Sequence, residues 1–129
     1  MILNVKGKVS KGRSEGSKFT MLPWVVERVK EKLGFKPYPG TLNLLLAPDN
    51  QLSVLLKKFR GWKIPAQKGY FSGRFYRALV MNRVAGAVVR PDVPGYPENV
   101  VEIVAPVCLR DLFGLKDGDA VTVKIWLEK

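Results

Sequence analysis

A chain of 129 residues, 47% of them hydrophobic, can bury one sizeable core but is too short to expect two, so a single domain over residues 1–129 is expected. It has no histidine and one cysteine, Cys108. That excludes Ser-His-Asp and Cys-His catalysis, His-containing zinc sites and an internal disulfide, and leaves oxygen-liganded metal, with magnesium the first expectation. Twenty-two Lys and Arg against eleven Asp and Glu give a net charge of +11, a field that attracts nucleotide phosphates, nucleic acid or acidic membrane surfaces.

No run approaches the roughly 18 apolar residues of a membrane span, and the start MILNVKGKVSKG is charged where a secretory signal is apolar. A cytoplasmic location is expected. Residues 2–10 set Leu3, Val5 and Val9 against Asn4, Lys6 and Lys8, the alternation of a half-buried strand. The loop Gly12-Arg13-Ser14-Glu15-Gly16-Ser17 follows. Its glycines would let backbone N–H groups approach a phosphate closely. It matches neither GxxxxGK[ST] nor GxGxxG, and a plain surface loop is the simpler account of it in isolation.

From Pro23 to Leu33, Val25, Val26, Val29 and Leu33 recur at helical spacing among charged residues, with proline in the first turn and Gly34 as the stop. Next comes a stiff turn, Pro37-Tyr38-Pro39-Gly40, leading into a strand over Thr41 to Leu46. Thr41 and Asn43 are two apart and share a face. Two neutral oxygen donors there could cradle a hard cation and the phosphates it carries, or simply cap the turn. Pro48-Asp49-Asn50 caps a second short helix carrying Leu52, Leu55, Leu56 and Phe59. The segment 57–65 then mixes Lys57, Lys58, Arg60 and Lys63 with Phe59 and Trp62, the composition of a phosphate-facing surface or a nucleic-acid groove, or of a solvated rim with Trp62 turned inward.

Residues 70–81 read as a long strand with Phe71, Phe75 and Leu79 on one face, and 84–90 as its hairpin partner after the Asn82-Arg83 turn. Pro91 to Asn99 is a proline-rich loop expected at a binding edge. The strand 100–105 holds one acid, Glu102, in an apolar run, where a carboxylate is costly unless partnered. Arg74 or Arg77 is the structural candidate for that partner, and a substrate hydrogen bond the functional one. Pro106 to Phe113 makes a short helix stopped by Gly114. Lys116-Asp117-Gly118-Asp119 is a turn, and Val121, Val123, Ile125 and Leu127 alternate in a closing strand. Six or seven strands with two or three short helices, and pairing of the first with the last strand, give a mainly β chain in a small closed or nearly closed barrel.

The blocks LGFKPYPGTLNLLL at 33–46, GAVVRP at 86–91 and VVEIVAPVCLRDLFGLKDGDAVTVKI at 100–125, with Gly12 to Phe19, resemble the archaeal CTP-dependent riboflavin kinases, and the likeness runs from end to end. The resemblance implies a six-stranded cradle-loop barrel, a flavoprotein enzyme that moves the γ-phosphoryl of CTP to the terminal ribityl hydroxyl of riboflavin, giving FMN and CDP. By motif, Gly12, Arg13, Ser14, Glu15, Gly16 and Ser17 would wrap the phosphates, and Thr41 and Asn43 would bind Mg2+. Val107, Cys108, Leu109 and Arg110 would contact the nucleotide. Glu102 would hold the flavin and is the candidate base.

Two departures stand out. A flavin-touching threonine of the family precedes a His-Tyr-Pro-like segment; here Pro94-Gly95-Tyr96-Pro97 occupies that place, making Pro94 and Tyr96 the flavin-side residues. The loop at 12–17 is also less glycine-rich than the family's. The partners implied are riboflavin and CTP, with no obligatory nucleic acid and no membrane, for a monomer. The block LRDLFGLKDGDAVTVKI also resembles swapped-hairpin DNA-binding barrels, which is the alternative reading, and a non-catalytic flavin or nucleotide carrier is a third.

Overall fold

A computed structural model describes residues 1–11 and 19–128. Seven strands appear in it: β1 (Ile2–Ser10), β2 (Leu42–Leu46), β3 (Trp62–Ile64), β4 (Gly73–Val80), β5 (Val84–Pro91), β6 (Val100–Val104) and β7 (Ala120–Trp126). Three helices join them, α1 (Pro23–Leu33), α2 (Leu52–Lys58) and α3 (Leu109–Phe113), and residues 19–21 add a helical turn before α1. Every pairing is antiparallel, in the order β3-β4-β5-β6-β2-β1-β7. The far half of β4 returns to β7, with Ala78 opposite Ile125 and Val80 opposite Val123. Six strands therefore close into the barrel that the alternating apolar pattern calls for, and β3 extends the sheet beside the near half of β4, Trp62 opposite Phe75. Closure removes most of the unpaired edge that an open sheet would expose.

The barrel interior is filled from inward-facing positions, among them Leu44, Val80, Val121 and Ile125, all without solvent exposure. A second cluster lies outside the barrel wall, where Val25 and Val29 of α1 cover Phe75, Val89 and Val104. The helix forms where its spacing predicts. Pro23 stands in its first turn, and Gly34, at φ 80°, ends it by donating its N–H to the Lys30 carbonyl at 2.8 Å. Asn50 serves α2 as expected, its Oδ1 accepting from the Leu52 N–H at 2.9 Å.

The long strand expected over 70–81 is shorter, and Phe75 and Leu79 share its outer face. It begins at Gly73, and Tyr70 and Phe71 are exposed. The face turned into the barrel carries Tyr76, Ala78 and Val80, while Phe75 points into the outer cluster. Tyr76, Ala78 and Val80 are buried on one face and Phe75 on the other, with Arg77 exposed, so apolar residues no longer alternate with polar ones and the period that reveals a face is lost. The hairpin turns one residue early, on Met81 and Asn82, both at positive φ (52° and 56°), the paired left-handed conformation of a type I′ turn.

Loops are tied to the barrel at three points that matter below. The Tyr38 N–H donates to the Ala105 carbonyl at 2.7 Å, which fastens the 34–40 turn to the end of β6. The 116–119 turn clips to β1 through Gly118 N–H to the Val9 carbonyl and Val9 N–H to the Asp119 carbonyl, 2.8 and 2.9 Å. Met1 and Leu127 bond in both directions, the amino terminus to the Leu127 carbonyl at 3.2 Å and the Leu127 N–H to the Met1 carbonyl at 2.8 Å. No helix among the described residues is long and apolar enough to cross a membrane.

Candidate active site

Register alone aligns the first group of site residues. Ser10 on β1 pairs with Asn43 on β2, Asn43 pairs with Glu102 on β6, Glu102 with Val89 on β5, and Val89 with Phe75 on β4. Directly opposite residues share a sheet face, here the outer one, since the neighbours Leu42, Leu44, Val101 and Ile103 fill the barrel. The row is polar from Ser10 to Glu102 and apolar from Val89 onward.

Hydrogen bonds connect its polar half. Asn43 Nδ2 donates to Thr41 Oγ1 at 3.0 Å, and Thr41 Oγ1 donates to Glu102 Oε1 at 3.5 Å. Tyr96, arching over from the proline-rich loop, donates its hydroxyl to Glu102 Oε2. Glu102 is 1% exposed, and these donors help to make a carboxylate tolerable there. The expected arginine partners do not supply it. Arg74 has the register parity of the barrel interior and donates Nη1 to the Leu56 carbonyl at 3.0 Å, while Arg77 is exposed with its guanidinium 6.0 Å from the Trp62 ring centre. Tyr96 takes their place, braced by Arg90, whose guanidinium lies 5.4 Å from the Tyr96 ring centre and donates to the Pro97 and Glu98 carbonyls at 3.3 and 3.4 Å. Burial holds the Arg90 pKa below the usual arginine value, with Tyr96 pulling it back up.

Asn43 is 6% exposed, and its Oδ1 has no hydrogen-bond partner among the described residues. A buried carbonyl oxygen left this way fits a hard cation that would complete it, alongside the Thr41 hydroxyl. The described residues contain no cluster of three or more His, Cys, Asp or Glu able to hold a metal, so most of a cation's shell at this pair would come from water or phosphate oxygens.

The bond from Tyr38 to Ala105 draws the second group against the first. Thr41, Tyr38, Ile103, Val107, Leu109 and Arg110 line one cleft, with Leu109 buried, Cys108 half-buried and Val107 exposed. Arg110 is fixed by a 2.6 Å ion pair to Asp117 and a 3.4 Å bond to the Ser10 carbonyl. β1 thus ends beside both Asn43 and Arg110. Gly12, Arg13, Ser14, Glu15, Gly16 and Ser17 lie outside the described residues. Pro94 is exposed in the loop ahead of Tyr96. Sequence reasoning missed Arg90 and Tyr38: each acts through contacts distant along the chain, although Arg90 directly precedes the proline-rich loop it braces.

Known proteins bear on this arrangement directly. The family model for the CTP-dependent riboflavin kinase domain, described as domain of unknown function DUF120, matches residues 9–125. Curated relatives include a riboflavin kinase of Sulfurisphaera tokodaii, 35% identical over 98% of this chain and 97% of the relative. Riboflavin kinases of Pyrobaculum islandicum and Pyrobaculum aerophilum are 36% and 40% identical, covering 98% and 94% of this chain but 62% and 60% of those relatives. The chain thus spans about three fifths of the length of the Pyrobaculum relatives. With the matched region running from β1 to β7 and taking in Thr41, Asn43, Glu102 and Arg110, the chain belongs to the CTP-dependent riboflavin kinase family.

Proposed function

We propose that this chain transfers the γ-phosphoryl group of CTP to the terminal ribityl hydroxyl of riboflavin. The new bond joins the ribityl oxygen to phosphorus, the bond from phosphorus to the bridging oxygen of CTP breaks, CDP leaves, and the hydroxyl proton passes to a base. The observation that carries the reading is the network from Asn43 through Thr41 to Glu102, which joins an oxygen donor pair to a buried carboxylate, with Thr41 lining the cleft. Phosphoryl transfer passes through a loose transition state that needs positioning and charge neutralisation more than covalent chemistry, so a site without histidine suffices.

Thr41 and Asn43 would hold Mg2+, which when bound supplies positive charge to the phosphate oxygens. Glu102 accepts a hydrogen bond from the ribityl hydroxyl and takes its proton, while Tyr96 and Thr41 fix the carboxylate. Backbone groups of Val107 to Arg110 read the cytosine edge, and Arg110 stays locked by Asp117 at the junction with β1. Gly12 to Ser17 wraps the phosphates, a role supported by β1 ending beside Asn43 and Arg110. The flavin side is built on Tyr96 and Glu102; Pro94 provides no donor where the family has a threonine. The protein acts as a monomer in the cytoplasm and needs no nucleic acid. None of the relatives named above is a DNA-binding regulator.

The test is incubation with riboflavin, Mg2+ and each of the four nucleoside triphosphates in turn, with FMN resolved chromatographically. FMN should form with CTP and disappear on chelation. No FMN with any donor would overturn the assignment. Thr41→Val and Asn43→Leu should keep the circular dichroism of the folded barrel and lose Mg2+-dependent turnover by 100-fold or more, roughly the scale of an essential electrostatic contact. Full activity in both would reduce the pair to a turn cap.

A further inference from the structure

A second concentration of charge lies away from this site, where the end of α2, β3 and the start of β4 surround an open cleft lined by Lys57, Arg60, Lys63, Arg74, Ser72 and Asp92. Four cations face one acid, and that acid is engaged by Ser72, whose Oγ donates to Asp92 Oδ2 at 2.8 Å. The ion pairs among the described residues are Arg28 and Lys32 with Glu31, and Arg110 with Asp117. The four cleft cations have none there. Four like charges gathered around a single counter-charge repel one another and are stabilised by a bound anion.

One donor adds direction to the charge. Arg74 directs Nη1 to the Leu56 carbonyl, but its Nε is buried without a hydrogen-bond partner among the described residues. A guanidinium is a good donor to a phosphate oxygen, and lysines can add their charge around it. Thr41, Asn43 and Glu102 do not line this cleft.

We propose that this cleft is a second anion site that takes the phosphate group of a small molecule, held by Arg60, Lys63 and Arg74, without need of a divalent cation. The proposal does not depend on the kinase reading. Calorimetric titration with inorganic phosphate, at constant ionic strength set by chloride and with divalent cations chelated, tests it. The protein should bind phosphate saturably. Arg60→Ala with Lys63→Ala should weaken binding at least tenfold while leaving FMN formation within twofold.

Thr41→Val with Asn43→Leu should bind phosphate like the parent. Loss of binding in that last pair would place the anion in the nucleotide site and overturn the proposal. Unchanged affinity in the Arg60 and Lys63 pair would overturn it too, as would the absence of saturable phosphate binding in a protein that retains only long polyanions such as RNA.

Discussion

Both carboxylate oxygens of Glu102 accept from hydroxyl donors, those of Thr41 and Tyr96, which orient the acid proposed to take the ribityl proton. Glu102→Gln should therefore lower turnover by about 100-fold, within the range of general-base contributions, with the KM for riboflavin changed much less. An unchanged turnover number would remove the base assignment. Tyr96→Phe takes one donor from a buried carboxylate and should cost roughly 1–3 kcal/mol in urea unfolding. Tyr76 provides a pH readout, since burial raises its pKa above the ordinary tyrosine value of 10. Above that value the unfolded chain loses the proton that the folded chain retains, so stability intact below it falls as pH rises toward the folded pKa. The difference in unfolding free energy between parent and Tyr76→Phe should be flat up to about pH 9 and turn against the parent above pH 10; parallel curves would show that the hydroxyl is not buried.

Among the elements, β5 meets β6 at Gly86, where an added Cβ would lie 2.5 Å from the Val104 carbonyl oxygen. Backbone, not a flexible side chain, would have to yield, so Gly86→Ala should lower stability by roughly 1–3 kcal/mol, read as a lower urea midpoint at unchanged slope. A midpoint equal to the parent's would mean that the two strands separate freely. Elements differed in how plainly the sequence announced them. β1 was legible because one of its faces meets solvent and Lys6 and Lys8 mark it, as were α1, with its proline and glycine ends, and the pairing of Thr41 with Asn43, which needs only the two-residue repeat of a strand. β4 was not, since the α1 layer buries Phe75 on one face and the barrel core buries the other. The partner of Glu102 was misread for a related reason: charge favours Arg74, but register turns Arg74 to the opposite side of the wall, and nothing local to Tyr96 shows that its loop folds back over β6.

At the scale of the whole molecule the two apolar clusters are joined through shared strands, with Phe75 facing the outer one and Tyr76, Ala78 and Val80 of the same strand the inner. Leu44→Ala inside the barrel and Phe75→Ala beneath α1, both at positions without solvent exposure, should each cost about 2–5 kcal/mol. Each should also leave a single unfolding transition, coincident by near- and far-ultraviolet circular dichroism. An early separate transition in Phe75→Ala would mean that the α1 layer melts on its own.

The reciprocal bonds between Met1 and Leu127 make this chain close to a ring. Joining residue 129 to residue 1 through a short glycine-serine linker, and opening the backbone in the exposed turn between Lys68 and Gly69, would preserve every strand pairing and leave the Thr41, Asn43 and Glu102 network on uninterrupted segments. Such a permutant should fold and form FMN at a rate near the parent's, its new ends placed beside β3 and far from the turn that carries Thr41.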